Sequence, residues 1–279
     1  MQNRYRLLIE TADKKGLIHK ITGVLLKYEL NIEQNNEFVE RDSNRFFMRT
    51  DISGIARENL FDELREILGA DSEIKLIPAE KKRVVIMVTK EHHCLSDLLI
   101  RHKYNELEFT IAAVTSNYDN LRSLTENFDI PFHFISHENH SRESHEAELI
   151  KVIKNYDPKY IILAKYMRIL TPNFVENFAN KIINIHHSFL PAFIGANPYK
   201  QAYNRGVKII GATAHFVNNN LDEGPIIAQS VLNVNHTHSA EDMARSGKEI
   251  EKLTLAKALR LVFDDRVFIY KNKTIIFES

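Results

Sequence analysis

From residue 84 onward the sequence alternates between short β-rich runs and helical stretches, and few architectures accept that rhythm. The runs lie at 84–88, 110–115, 132–135 and 160–163, with helical character around 95–104, 120–128 and 144–156 between them. Further runs at 182–186 and 207–217 continue the series. Each run has the length and the Val, Ile, Thr and Phe content of a buried strand. A helical crossover returns the chain to the same end of a sheet, so strands spaced in this way pair in parallel. The expectation is an α/β fold with a doubly wound, mostly parallel sheet, whose sites form beyond the carboxyl ends of the strands. A long helix at 240–263 follows, opened by Ser239 as N-cap with Asp242 three residues on, and runs at 267–270 and 274–277 read as a closing hairpin.

The first 80 residues have a different rhythm. A strand at 4–11 is punctuated by Asp13-Lys14-Lys15-Gly16, after which Leu17, Ile21, Val24, Leu25 and Tyr28 recur at helical spacing. Strands at 31–40 and 45–52 flank the polar turn Arg41-Asp42-Ser43-Asn44. Leu60, Leu64, Ile67 and Leu68 mark a second helix, and 74–77 a last strand. The order βαββαβ predicts a small α+β, ferredoxin-like domain. Pro78 and the polar stretch after it place a boundary near residue 80, giving domains 1–80 and 81–279.

Composition excludes several classes of partner. Thirty-seven basic residues face 37 acidic ones, so the basic excess that a polyphosphate partner demands is absent and no nucleic acid is expected. The single cysteine, Cys94, forbids an internal disulfide and suits a reducing compartment. The opening Met-Gln-Asn-Arg-Tyr-Arg-Leu-Leu lacks a basic segment followed by an apolar one, and the apolar runs are too short to cross a bilayer. A cytoplasmic location without membrane contact is expected.

Two stretches carry chemistry. In Ile182-Ile183-Asn184-Ile185-His186, side chains two apart on a strand share a face, so Asn184 and His186 point together and away from Ile183 and Ile185. A buried polar pair is costly unless it is hydrogen-bonded or used. By itself this pair also fits a satisfied polar pair at a strand end. The second stretch runs from Gly211 through His215-Phe216-Val217 into a loop, Asn218-Asn219-Asn220-Leu221-Asp222-Glu223-Gly224-Pro225, with a carboxylate at its tip. An ordinary hairpin turn with a solvated Asp222 is the plain alternative.

Taken together, Asn184-x-His186 with Ser188-x-Leu190-Pro191, then His215-Phe216-Val217 and Leu221-Asp222-Glu223-Gly224-Pro225, resemble the folate-dependent formyltransferases. The preceding Ala164-Lys165-Tyr166-Met167-Arg168-Ile169-Leu170 is similar to that family's folate-pocket segment. Over its whole length, the N-terminal domain included, the chain resembles the formyltetrahydrofolate deformylases. The resemblance implies 10-formyltetrahydrofolate as substrate, water as acceptor, and no permanently bound cofactor. It implies hydrolysis to formate and tetrahydrofolate, supplying formate for purine synthesis and balancing one-carbon pools. It also implies a catalytic group of Asn184, His186 and Asp222. Asn184 and His186 would polarise the formyl oxygen, while Asp222 holds the water and supports the imidazole. Met167, Arg168, Ile169, Leu170, Phe193, Asn218 and Leu221 are the implied folate contacts, and His215 a residue that positions the Asp222 loop.

The acceptor is argued from one turn. Formyltransferases that act on glycinamide ribonucleotide carry a glycine-containing loop after their first strand to hold a phosphate. The turn here, Lys90-Glu91-His92-His93-Cys94-Leu95-Ser96-Asp97, has no glycine and adds two anions. That disfavours a phosphorylated amine. Two readings compete with the hydrolase: transfer to another amine acceptor, and a folate- or amino-acid-binding sensor without catalysis.

His92, His93 and Cys94 invite a metal reading, but adjacent histidines diverge and no second ligand pair lies at zinc spacing, so no metal is expected. Residues 1–80 resemble an ACT domain, which implies self-association into a homo-oligomer and an amino-acid effector. Asp13, Gly16, Leu17, Asn31 and Ile32 match its ligand-loop pattern, except that Lys15 stands where a proline is often found. Glycine and methionine are the effector candidates.

Overall fold

The computed structural model describes residues 3–57, 59–191 and 198–278. Contacts divide the chain into two compact units, with the division between Glu80 and Lys81.

The first unit contains β1 (Arg4–Ala12), α1 (Leu17–Lys27), β2 (Asn31–Glu40), β3 (Arg45–Ser53), α2 (Leu60–Leu68) and β4 (Glu73–Pro78). Its sheet has the order β2-β3-β1-β4, antiparallel throughout, as a ferredoxin-like, ACT-type domain requires. Leu7 and Ile9 of β1 pack against Ile21 and Leu25 of α1 and Leu60 and Leu64 of α2. Gly16 opens α1 at φ 83, a left-handed conformation that glycine adopts at little cost. Of the residues matched to a ligand loop, Leu17 is committed to this core, whereas Asn31 is exposed and Ile32 half-buried.

The second unit runs through β5 (Lys82–Val88), α3 (His93–Lys103), β6 (Phe109–Ser116), α4 (Arg122–Glu126), β7 (Phe132–Phe134), α5 (Arg142–Asn155) and β8 (Tyr160–Leu163). It continues with α6 (Pro172–Asn177), β9 (Ile182–His186), α7 (Pro198–Arg205), β10 (Ile209–Phe216), β11 (Ile226–Asn233), α8 (Ala240–Phe263), and the hairpin β12 (Val267–Tyr270) and β13 (Lys273–Ile276). Seven strands form one sheet in the order β11-β10-β9-β8-β5-β6-β7. Those from β9 to β7 are parallel, while β10 and β11 run antiparallel to their neighbours. This is the mostly parallel α/β sheet expected.

Both faces of that sheet are covered, which is why β5 reads as an unbroken apolar run. Val84, Ile86 and Val88 face Leu95 and Leu98 of α3 and the apolar side of α8. Val85 and Met87 face Leu149 and Ile153 of α5 and Phe174 of α6. Helix α8 begins with a capping box in which the Ser239 hydroxyl accepts from the Asp242 N–H and the Asp242 carboxylate accepts from the Ser239 N–H. The buried pair Lys82–Asp265, at 2.7 Å, ties the start of β5 to the turn after α8. Among the described residues, no helix is long and apolar enough to cross a membrane.

Three elements were not anticipated. Helix α6 is short, but it is announced by Thr171-Pro172, the Thr171 side chain accepting from the Phe174 N–H with proline in the first turn. Helix α7 lies in a polar stretch with only Pro198 and Ala202 buried. Strand β11 is an edge strand whose Val231 and Leu232 are exposed, so its pattern does not alternate cleanly.

Candidate active site

A cavity of about 440 Å³ opens at the carboxyl ends of β8 and β9, where a doubly wound sheet is expected to hold its ligand. Asn184, Ile185 and His186 line it from β9, and the side chains of Ile183 and Ile185 belong to the core layer that contains α8. Strand β10 lies against β9 with His215 opposite Asn184. The loop from β10 to β11 then brings Asn218, Leu221 and Asp222 to the same cavity.

The hydrogen bonds fix the state of each group. The His215 Nδ1 lies 2.9 Å from the Phe216 carbonyl oxygen, which can only accept, so Nδ1 carries the proton. The His215 Nε2 therefore accepts from the Asn184 amide nitrogen, 3.2 Å away. This turns the Asn184 amide so that its second N–H remains for another acceptor. Burial holds the His215 ring below the usual histidine range, so its 3.8 Å approach to Asp222 is not an ion pair.

His186 is 6% exposed, with Nδ1 3.2 Å from the Asp222 Oδ1. Its Nε2 is buried and has no hydrogen-bond partner among the described residues. Burial works to raise the Asp222 carboxyl, but the His186 hydrogen bond and the surrounding histidines outweigh it, so Asp222 sits below the usual carboxylate range. Asp222 is far from a solvated turn residue: its side chain is 12% exposed, and its φ of 57 is a left-handed conformation that Asp tolerates better than most residues. Gly224 makes that loop possible, because a Cβ there would lie 1.7 Å from the Phe216 carbonyl oxygen.

The Met167-Arg168-Ile169-Leu170 segment lines the cavity from the loop after β8. Met167, Ile169 and Leu221 are 59%, 53% and 55% exposed, so they form an apolar rim instead of contributing to the core. Large apolar side chains left in water at one place mark a ligand surface. Phe193 lies outside the described residues.

Residues 82–259 match the family model for formyl transferases. The formyltetrahydrofolate deformylase of Escherichia coli (strain K12) is 58% identical over 279 residues, covering 99% of this chain and all of that protein. The chain belongs to the formyl transferase family, and within it to the formyltetrahydrofolate deformylases. The crystal structure of such a deformylase from Pseudomonas syringae pv. tomato superposes with a TM-score of 0.95 at 38% identity, covering 99% of this chain and 95% of that one. Glycinamide ribonucleotide transformylase 1 from Symbiobacterium toebii matches only 71% of the chain, covering 94% of its own, with a TM-score of 0.68 at 28% identity.

Beside the deformylase motifs lie groups that sequence reasoning did not assign. Lys165 and His187 also line the cavity. The His187 ring stacks on His186 at 5.1 Å; burial first, then the charges of Lys165 and His186, push it down to about 4. Behind them Glu251, from α8, accepts from the Tyr199 hydroxyl and approaches His93 and Lys165. His92 is exposed and His93 buried, so the adjacent rings diverge. His93, Cys94 and Glu251 place three ligand atoms within 4.8 Å of one another. Both Glu251 oxygens are already engaged by His93, Lys165 and Tyr199, and burial pushes the Cys94 thiol up, away from the thiolate a metal needs. The cluster is better described as a hydrogen-bonded network. Lys165 and Glu251 meet only through the fold, because they lie far apart in the sequence and share no local motif.

Proposed function

We propose that this chain hydrolyses 10-formyltetrahydrofolate to formate and tetrahydrofolate, with Asn184, His186 and Asp222 as the catalytic group. The observation that carries the reading is the state of His186. Its Nδ1 is committed to an ionised Asp222, and its buried Nε2 is left unpartnered in the cavity beside the spare N–H of Asn184.

The formyl group on N10 is amide-like and needs polarising before water attacks. The formyl oxygen accepts from the Asn184 N–H and from a protonated His186 Nε2, two donors set before charge develops. Water gives a proton to Asp222 as its oxygen bonds to the formyl carbon. Collapse of the tetrahedral intermediate breaks the bond from carbon to N10, and that proton passes to N10. Formate leaves as the anion and releases the second proton of the water. The rim of Met167, Ile169 and Leu221 receives the flat pterin, with Arg168, Leu170 and Asn218 around it. His215 orients Asn184; the resemblance also assigns Phe193 to the folate contacts.

Full-length likeness to deformylases, against partial likeness to a glycinamide ribonucleotide transformylase, supports water as the acceptor. Incubation of the pure protein with 10-formyltetrahydrofolate and no amine should yield formate and tetrahydrofolate in equal amounts. Product formation only on addition of an amine would instead indicate a transferase.

For residues 1–80 the reading is a regulatory ACT domain that self-associates and takes an amino-acid effector around Asp13, Gly16, Asn31 and Ile32. Turnover unaffected by a panel of amino acids, glycine and methionine included, would remove the effector. A balanced charge and a single buried cysteine fit work in the cytoplasm without a nucleic-acid partner.

A further inference from the structure

Successive side chains on a strand point to opposite faces, so two adjacent histidines on one strand would ordinarily part. Here β9 stops at His186 and the chain bends at His187 and Ser188. The bend is pinned from β10 by Thr213, which stands opposite His186 in the sheet and is fully buried. Its hydroxyl donates to the Ser188 carbonyl oxygen at 2.9 Å and accepts from the Leu190 N–H at 3.1 Å. The Gln229 amide, reaching in from β11, donates to the same hydroxyl and to the Leu190 carbonyl oxygen. With the strand ended in this way, the His187 ring stacks on His186, the centroids 5.1 Å apart and the planes 25° from parallel.

His186 is therefore flanked on two sides. Asp222 meets its Nδ1 edge and His187 covers its face, and all three residues line the cavity. Asp222 is committed to His186, but neither ring nitrogen of the half-buried His187 has a hydrogen-bond partner among the described residues. Burial first, then Lys165 and His186, keep the ring neutral at pH 7 against the opposing pull of Glu251 and Asp222. A neutral imidazole has one N–H and one bare lone pair, so a nitrogen of His187 is left to accept from whatever enters the cavity.

Water attacks a carbonyl through an oxygen lone pair, which faces the carbon only when both O–H bonds are directed elsewhere. That orientation needs two acceptors beside the donors that hold the formyl oxygen. We propose that His187 seats the attacking water: a ring nitrogen accepts a hydrogen bond from one of its O–H groups while Asp222 accepts from the other. The proton that leaves the water still goes to Asp222, and His187 gains a hydrogen bond without taking a proton. A ring that served only to pack against His186 would need no nitrogen. The inference rests on the hydrolysis reading of the cavity and adds to it the group that places the nucleophile.

The test compares His187→Phe, which keeps an aromatic ring on His186 but has no acceptor, with His187→Asn and His187→Gln. The last two carry an oxygen near the positions of Nδ1 and Nε2. Formate release from 10-formyltetrahydrofolate by the parent, with no amine present, reports on hydrolysis itself, and its absence would overturn both readings. With hydrolysis intact, the kcat of H187F should fall by about tenfold or more, a smaller loss than removal of the proton acceptor Asp222, and KM should stay within about twofold. At least one of H187N and H187Q should recover most of that loss, and the one that does identifies the nitrogen used. Parent-like kcat in H187F overturns the proposal while leaving hydrolysis standing. So does an equal loss in all three variants, because ring shape would then be the cause. Should H187F fail to fold, His187→Ala opens the place to free imidazole. Its kcat should fall likewise and rise again as imidazole is added; an H187A protein as active as the parent, or one that imidazole does not restore, equally overturns the proposal.

Discussion

His186 and Asp222 are joined through Nδ1 and Oδ1 at 3.2 Å, and this contact decides which imidazole nitrogen can meet a substrate. Asp222→Asn keeps the size of the side chain but loses the charge and the proton acceptor. Turnover should fall at least about a hundredfold, in line with the contribution of general acid–base groups, while the KM for 10-formyltetrahydrofolate changes little. His186→Ala should behave alike. Steady-state kinetics beside circular dichroism checks this: loss of the folded signal would make both residues structural.

Asn184 is held by a neutral His215 with one N–H to spare. Asn184→Asp is nearly isosteric yet places an oxygen where the oxyanion donor was. The kcat should drop by about 10²–10³, the usual effect of removing one such donor, with substrate binding retained. A larger rise in KM than fall in kcat would show that Asn184 holds the ground state instead.

Gly224 tests whether the loop, and not only its carboxylate, is built for the site. The Cβ of Gly224→Ala would sit 1.7 Å from a backbone oxygen, so the loop must move and carry Asp222 away from His186. A displacement of about 1 Å at a catalytic group costs about a hundredfold in rate. Kinetics should show that loss, with a melting temperature reduced but a folded protein at assay temperature. Parent-like activity would mean that Asp222 does not depend on this turn.

How far the sequence disclosed this site follows from the range of each signal. The period of a strand puts Asn184 and His186 on one face, and Ser239 with Asp242 marks the start of α8; both signals are local and the structure contains both. The burial of Asp222 was not local. It depends on β11 folding back along β10, and β11 is an exposed edge with no clean alternation. The Lys165–Glu251 pair was hidden twice. Lysine in a loop and glutamate in a charged helix both read as solvated until α8 lies across the sheet.

His187 gives a sign to the pH dependence of stability. Its ring is held at about 4 in the fold, below the ordinary histidine value, so the folded state prefers it neutral. That contribution is complete above the unfolded value near 6.5 and is lost as pH falls from there toward about 4. His187→Gln removes the titrating group. Thermal melts of parent and variant should therefore converge as pH drops from 7 to 4, with the parent losing more. Parallel curves would show that the ring takes up its proton in the folded state at no extra cost.

The pair Lys82–Asp265 predicts a stability effect with no catalytic one. Both side chains are 4% exposed and the contact is 2.7 Å, far from the cavity-lining residues in sequence and on the opening strand of the sheet. Asp265→Asn keeps a side chain tolerant of the left-handed backbone at φ 50, so conformation is preserved and the charge alone is lost. An unpaired buried ammonium then remains, a change that destabilises proteins by about 3–5 kcal/mol. Urea unfolding should show that loss, and the kcat of the remaining folded protein should match the parent. A loss below about 1 kcal/mol, the range of exposed pairs, would mean that water reaches Lys82 and the pair contributes as a surface contact does.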